Sequence, residues 1–265
     1  MRSRPPGMSL SHWGPLLAGT FFLGLAACGT GVPGEPPGTG LAEVPSVCAS
    51  VKKPEVRGLS QCGPLREFIP INRYQGEFSD VIQDREDAVV LIDGRCTGTL
   101  IEASAGPVVV TAGHCARLGD RALLVFNFEE ASDGDPLVTE GSVIEQSLEP
   151  DYALIQLDVL PAVRPVLLTT RPTERLAIIQ HPRGLPKVIA EGSFVASCDR
   201  QLYYSDLDTL VGSSGAGVLN RQGHLLGIHT DGDCDSFGCG TNRGWTLESI
   251  VEASSYLQSG DIAER

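Results

Sequence analysis

The chain has 265 residues, 42% hydrophobic and 20% charged, with a formal net charge of −13. That length holds one globular domain with tails, or two small subdomains sharing a site. Acidity on this scale excludes nucleic acid as a partner, because little here displaces counterions from phosphates.

The first segment reads as an address rather than as part of a fold. Arg2 and Arg4 precede an apolar run from Pro15 to Ala27 that is short for a bilayer crossing. The run closes in Leu25-Ala26-Ala27-Cys28, which resembles the bacterial lipoprotein signal. The resemblance implies loss of residues 1–27 and acylation of Cys28, now the first residue, on the cell envelope. An ordinary signal peptide followed by an incidental thiol is the alternative, and the small residues directly before Cys28 favour the lipoprotein reading. Residues 28–46 are rich in Gly and Pro with few apolar side chains, so they read as a tether. Residues 47–85, holding Cys48 and Cys62, form an N-terminal segment or pro-region. Export favours disulfides, and setting Cys28 aside from the 8 cysteines leaves an odd number, hence one thiol over. No spacing reads as a zinc site, and no metal or cofactor is expected.

From residue 86 the pattern is orderly. Strands are expected at 88–92, 97–101, 108–111, 122–128, 153–157, 177–180, 192–196, 217–219 and 225–229. Asp93-Gly94, Ala105-Gly106-Pro107, Asp133-Gly134 and Arg221-Gln222-Gly223 are turns between them. Many short strands at this spacing suit two antiparallel barrels or a sandwich. Leu247, Ile250, Val251 and Ala253 stand near helical spacing, so the domain, residues 86–258, should end in a helix before a short tail at 259–265.

Three motifs carry the chemistry. Thr111-Ala112-Gly113-His114-Cys115 follows an apolar strand and supplies an imidazole, a base suited to neutral pH. Asp151 opens an alternating apolar strand, Tyr152-Ala153-Leu154-Ile155-Gln156-Leu157, where a carboxylate can fix the tautomer of a histidine. Gly212-Ser213-Ser214-Gly215-Ala216-Gly217 is a tight turn that would expose Ser214 while the amides of Gly212 and Ser214 converge as an oxyanion hole. Taken singly, these could be a structural His, a turn cap and a flexible Gly/Ser loop. Together, and in the order His, Asp, Ser, they resemble the chymotrypsin and trypsin family. An esterase elbow, Gly-x-Ser-x-Gly, is not matched, since Gly212 stands one residue too early.

The resemblance covers roughly residues 86–257. It implies an all-β fold of two six-stranded antiparallel barrels with a C-terminal helix, and a monomeric endopeptidase acting on polypeptides through His114, Asp151 and Ser214. It also implies a Cys96–Cys115 bridge beside the base. Cys198 is expected to reach Cys234, or else Cys239, and Cys48 to close on Cys62. The family's activation acid before the nucleophile is replaced by Ser213, so a trypsin-type zymogen switch is not expected.

Closer likeness is to bacterial glutamyl endopeptidases. Thr209 and His229 match the positions that grip a substrate Glu in that subgroup, while Thr230 and Gly232 offer an edge to an added substrate strand. Asp208 stands where trypsin keeps its pocket acid. It either draws Arg or Lys into the pocket or turns toward His229 and holds it protonated; a preference for Glu or Asp is the expectation. His181, in His181-Pro182-Arg183-Gly184, resembles a surface turn of bacterial relatives. A catalytically silent envelope binding protein is the competing reading.

Overall fold

In a computed structural model, described over residues 60–131 and 134–263, the chain forms two closed barrels within one compact unit. The signal, the tether and most of the 47–85 segment, with Cys28 and Cys48, lie outside the described residues. A two-residue strand, β1 (Ile69–Pro70), and a short helix, α1 (Ser79–Ile82), precede the first barrel. That barrel comprises β2 (Val89–Ile92), β3 (Cys96–Ile101), β4 (Val108–Thr111), β5 (Arg121–Phe126), β6 (Leu137–Leu148) and β7 (Asp151–Leu157). It closes in the order β2-β3-β4-β7-β6-β5. The second comprises β8 (Arg175–Gln180), β9 (Val188–Cys198), β10 (Gln201–Ser205), β11 (Gly217–Leu219), β12 (Leu225–Asp231) and β13 (Asn242–Thr246). Its ring runs β8-β9-β10-β13-β12-β11 and shuts through the β8–β9 pairing, with β1 added on the far side of β9. Helix α2 (Leu247–Ala253) follows, its first turn capped by the Thr246 hydroxyl, which accepts from the Ser249 amide at 3.2 Å.

The expected chymotrypsin-like fold is therefore present, with strand periodicity behind it. In β5, Ala122, Leu124 and Phe126 are buried while Arg121 and Leu123 are exposed, the alternation of a strand with one wet face. Strands β2, β3 and β4 are buried throughout, and one hydrophobic cluster joins Val110 and Ile155 of the first barrel to Ile189 and Ile228 of the second. The residues before the first barrel share this core, since Ile71, Phe78 and Ile82 are buried in it.

An ionic joint links the barrels. Lys187, fully buried, reaches Glu86 at 2.5 Å and Glu129 at 2.7 Å, and Asn72 donates to Glu129 at 2.6 Å. Burial raises Glu86 to about 8, while a hydrogen bond from Glu86, the Lys187 charge and hydrogen bonds from Lys187 and Asn72 hold Glu129 below its ordinary value against the cost of burial.

The disulfides correct two expectations. Cys96 and Cys115 are bridged. Cys234, however, pairs with Cys62, not with Cys198, and Cys62 is thereby taken from Cys48. The reason is that residues 60–67 pack against the second barrel, where the Cys62 amide donates to Asp208 at 2.7 Å and the Gly63 amide to the Asp235 carbonyl at 2.9 Å. Cys198 and Cys239 are disulfide-bonded too, so among the described residues no thiol is left over.

Candidate active site

His114 sits in a 3-10 turn, Gly113–Cys115, directly after β4. The turn is pressed onto the β6–β7 hairpin so closely that a side chain at Gly113 would collide with the Ser147 carbonyl. Gln146 braces it from both ends, donating to the Gly113 carbonyl at 2.7 Å and accepting from the Leu118 amide at 3.0 Å. Asp151, first residue of β7, accepts from the His114 amide at 2.9 Å through Oδ1 and lies 2.6 Å from His114 Nδ1 through Oδ2. This grip fixes the ring plane and places the Nδ1 proton toward the carboxylate, leaving Nε2 as the basic nitrogen.

Ser214 stands on the turn before β11. Gly215, at φ 83°, has no room for a Cβ, which would run into Thr111 Oγ1, the Thr97 carbonyl and the Ala112 amide. The Ser214 turn is thus seated on the strand end that carries His114. The Ser214 carbonyl accepts from the Thr97 amide at 2.9 Å, and Thr97 Oγ1 donates to the Gly212 carbonyl at 2.8 Å. Ser213 closes the turn itself, its hydroxyl accepting from the Leu210 amide at 3.0 Å, so no incoming terminus is needed to order it. The Gly212 and Ser214 amides donate to no protein acceptor among the described residues. Unpaired amides on a turn beside the cleft that Ser214 lines are groups that a developing oxyanion can use.

His114, Asp151, Ser214, His229, Thr230 and Gly232 line one open cleft of about 470 Å³, with Ser60, Leu148 and Val211 around it. Thr230 falls at a register shift between β12 and β13, outside their ladder. His229, on β12, is buried, and the Tyr204 hydroxyl lies 2.5 Å from its Nδ1. Burial, reinforced by the neighbouring His114, lowers its pKa to about 3, so the ring is neutral.

Here the structure departs from the sequence reading. Asp208 does not face His229 and does not keep it charged. Its carboxylate is occupied by the amides of Cys62 and Glu67, both at 2.7 Å. Thr209 does not line the cleft: fully buried, it contacts the Ser60 carbonyl and lies 3.2 Å from Asn242 Nδ2. His181 is no surface turn. It is fully buried, stacked on Phe128, and lowered to about 4, chiefly by burial. Its segment supports the turn that carries Gly212, since the Arg183 amide donates to the Val211 carbonyl at 2.6 Å and the His181 carbonyl leaves no space for a side chain at Gly212. Gln146 and Asn242 were not singled out from the sequence, where an amide in a polar strand carries no distinguishing signal.

Among solved structures, the serine endoprotease from Yersinia pestis superposes with a TM-score of 0.54 at 16% identity, covering 68% of this chain and 67% of that one. Deg5 superposes with a TM-score of 0.52 at 18% identity, covering 66% and 91% respectively. At such identities the likeness is one of fold. No match is found among curated proteins. The model of the trypsin-like peptidase domain matches residues 96–228, half of the chain, a span that contains His114, Asp151 and Ser214. The chain belongs to the trypsin-like peptidase domain family.

Proposed function

We propose that this protein is a serine endopeptidase working through His114, Asp151 and Ser214. The observation that carries the proposal is the 2.6 Å contact of His114 Nδ1 with Asp151 at the cleft where Ser214 stands. Ser214 Oγ attacks the scissile carbonyl while His114 Nε2 takes its proton, and the imidazolium is stabilised by Asp151. The carbonyl oxygen becomes an oxyanion and accepts from the Gly212 and Ser214 amides. Collapse expels the amine, which receives the proton from His114, and leaves an acyl-enzyme. Water, deprotonated by His114, then releases the acid and restores the serine.

The residue before the scissile bond is Glu or Asp in preference to Arg or Lys. Asp208 is capped by backbone amides and offers no charge to a cation. His229 lines the cleft beside Thr230 and Gly232, and its imidazole is the group proposed to meet the carboxylate. A carboxylate entering a pocket without donors would lose several kcal/mol of hydration. Export with lipid attachment at Cys28, the tether at 28–46 and a monomeric state complete the proposal, and the disulfides accord with an oxidising compartment.

Matched peptides differing only before the scissile bond test both parts. Cleavage should be faster after Glu than after Arg, and Ser214→Ala should remove it, a loss of several powers of ten being usual at such positions. Faster cleavage after Arg, abolished by Asp208→Ala, would reverse the specificity.

A further inference from the structure

Among the described residues that line the cleft, Ser60 alone precedes both barrels, and it lies outside the matched span of 96–228. It joins two runs of the cleft wall. Its carbonyl accepts from the amide of Thr209, next to the lining residue Leu210, at 3.1 Å, and from Asn242 Nδ2 at 2.9 Å. On its other side Ser60 fills the place where a side chain on Gly232 would stand, so that Gly232 has room for none. The contact is held from behind. Two residues on, Cys62 is bridged to Cys234, and the Gly63 amide donates to the Asp235 carbonyl at 2.9 Å. Residues 60–63 thus run beside residues 232–235, meeting them at Ser60 with Gly232, Cys62 with Cys234 and Gly63 with Asp235.

We propose that Ser60 is a specificity-determining residue, an end wall that closes the gap between Leu210 and Gly232 and limits the size of the substrate side chain bound there. This rests on the reading of the cleft as a peptidase site, with the Thr230–Gly232 edge beside the residue before the scissile bond. A single flexible side chain can swing away from a bulky ligand. Ser60 cannot, because its own main chain is hydrogen-bonded to the second barrel and the bridge at Cys62 fixes the next turn of the segment. Forcing extra volume against such a wall costs strain. The limit therefore falls on the largest side chains, Phe above all. It is a limit of size and stands apart from charge: Asp231, which also lines the cleft, pairs with Arg243 at 3.7 Å and has no part in it.

Two peptides that differ only before the scissile bond, with Ala or Phe there, measure the wall as a ratio of kcat/KM within each variant. The native chain should favour Ala. Ser60→Gly, which widens the gap, should move the ratio toward Phe by about tenfold, and Ser60→Leu should move it the other way by a similar factor. An unchanged ratio in Ser60→Gly, or a native chain that cuts after Phe as fast as after Ala, would overturn the proposal. Packing is read separately and without turnover. Gly232→Ala should lower the urea midpoint of the native chain, and lower it less when combined with Ser60→Gly, because part of the obstacle has gone. Equal losses in the two backgrounds would place Ser60 away from Gly232 and overturn the wall as well. Fluorophosphonate labelling of the native chain separates this proposal from the reading beneath it. No adduct on Ser214 defeats the peptidase reading, whereas a normal adduct with an unchanged ratio defeats only the wall.

Discussion

At the scale of single residues, the site depends on atoms that do no chemistry. Gln146 holds the His114 turn at both ends. Gln146→Ala should therefore lower kcat by roughly ten- to a hundredfold with little change in KM, because small displacements of a base are expensive. Rescue by Gln146→Glu is not expected, since a carboxylate cannot donate to the Gly113 carbonyl; steady-state kinetics on one peptide reads both. Gly215 is constrained more severely, by a φ of 83° and by the backbone of Thr97 and Ala112 where a Cβ would lie. Gly215→Ala should cost roughly 2–5 kcal/mol in urea denaturation, combining left-handed strain with overpacking. The neutral His229 gives a further expectation. Because its pKa lies at about 3, the ratio of cleavage after Glu to cleavage after Gln should show no step between pH 5.5 and 8 traceable to His229→Gln. A step in that range, lost on substitution, would mean that the ring is charged when substrate binds.

At the scale of elements, the Cys96–Cys115 bridge ties β3 to the turn that carries His114. Removing it as Cys96→Ser/Cys115→Ser should cost about 3 kcal/mol in urea denaturation, the figure expected for a short closed loop. The strands show what a sequence makes legible. Val108–Thr111 and Gly217–Leu219 were read to the residue, since short apolar runs between turn residues have little else to become. The long β6 was missed because only Thr139, Gly141 and Val143 of its residues are buried, so its apolar signal is diluted by Glu140, Glu145 and Gln146. β13 was missed because Asn242 and Gly244 speak against a strand. Gly244 is required there, as a side chain would strike the Ile228 carbonyl of the neighbouring strand. The three motifs are legible because each sets a chemical group on a turn or at a strand start next to a recognisable apolar strand. The arrangement of Asp208 was not, because it depends on Cys62 and Glu67, far away in the chain and brought in by packing that no local pattern encodes.

At the scale of the molecule, one hydrophobic cluster and one ionic joint span the two barrels, and buried titrating groups set a stability optimum. His181 and His229 have folded values of about 4 and about 3, below the ordinary 6.5, so the unfolded chain binds more protons there and stability falls as pH drops below 6.5. Glu86 behaves oppositely. Raised from 4.5 to about 8, it keeps its proton in the folded chain, so its contribution is complete below 4.5 and is lost as pH rises toward 8. The lowered Glu129 adds only to the acid limb. Thermal unfolding should therefore peak near pH 6.5, with Glu86→Gln flattening the alkaline limb and steepening the rise between pH 4.5 and 6.5. A Tm that climbs steadily from pH 6.5 to 8 would show that the Lys187 joint is not the controlling group.

The peptidase reading turns on whether Ser214 is activated by His114. Reaction with an organofluorophosphonate, followed by peptide mass mapping, measures this directly. One adduct is expected, on Ser214, with its rate of formation reduced by several powers of ten in a folded His114→Ala variant. A folded native chain that takes up no probe, or labels equally fast without His114, would contradict it.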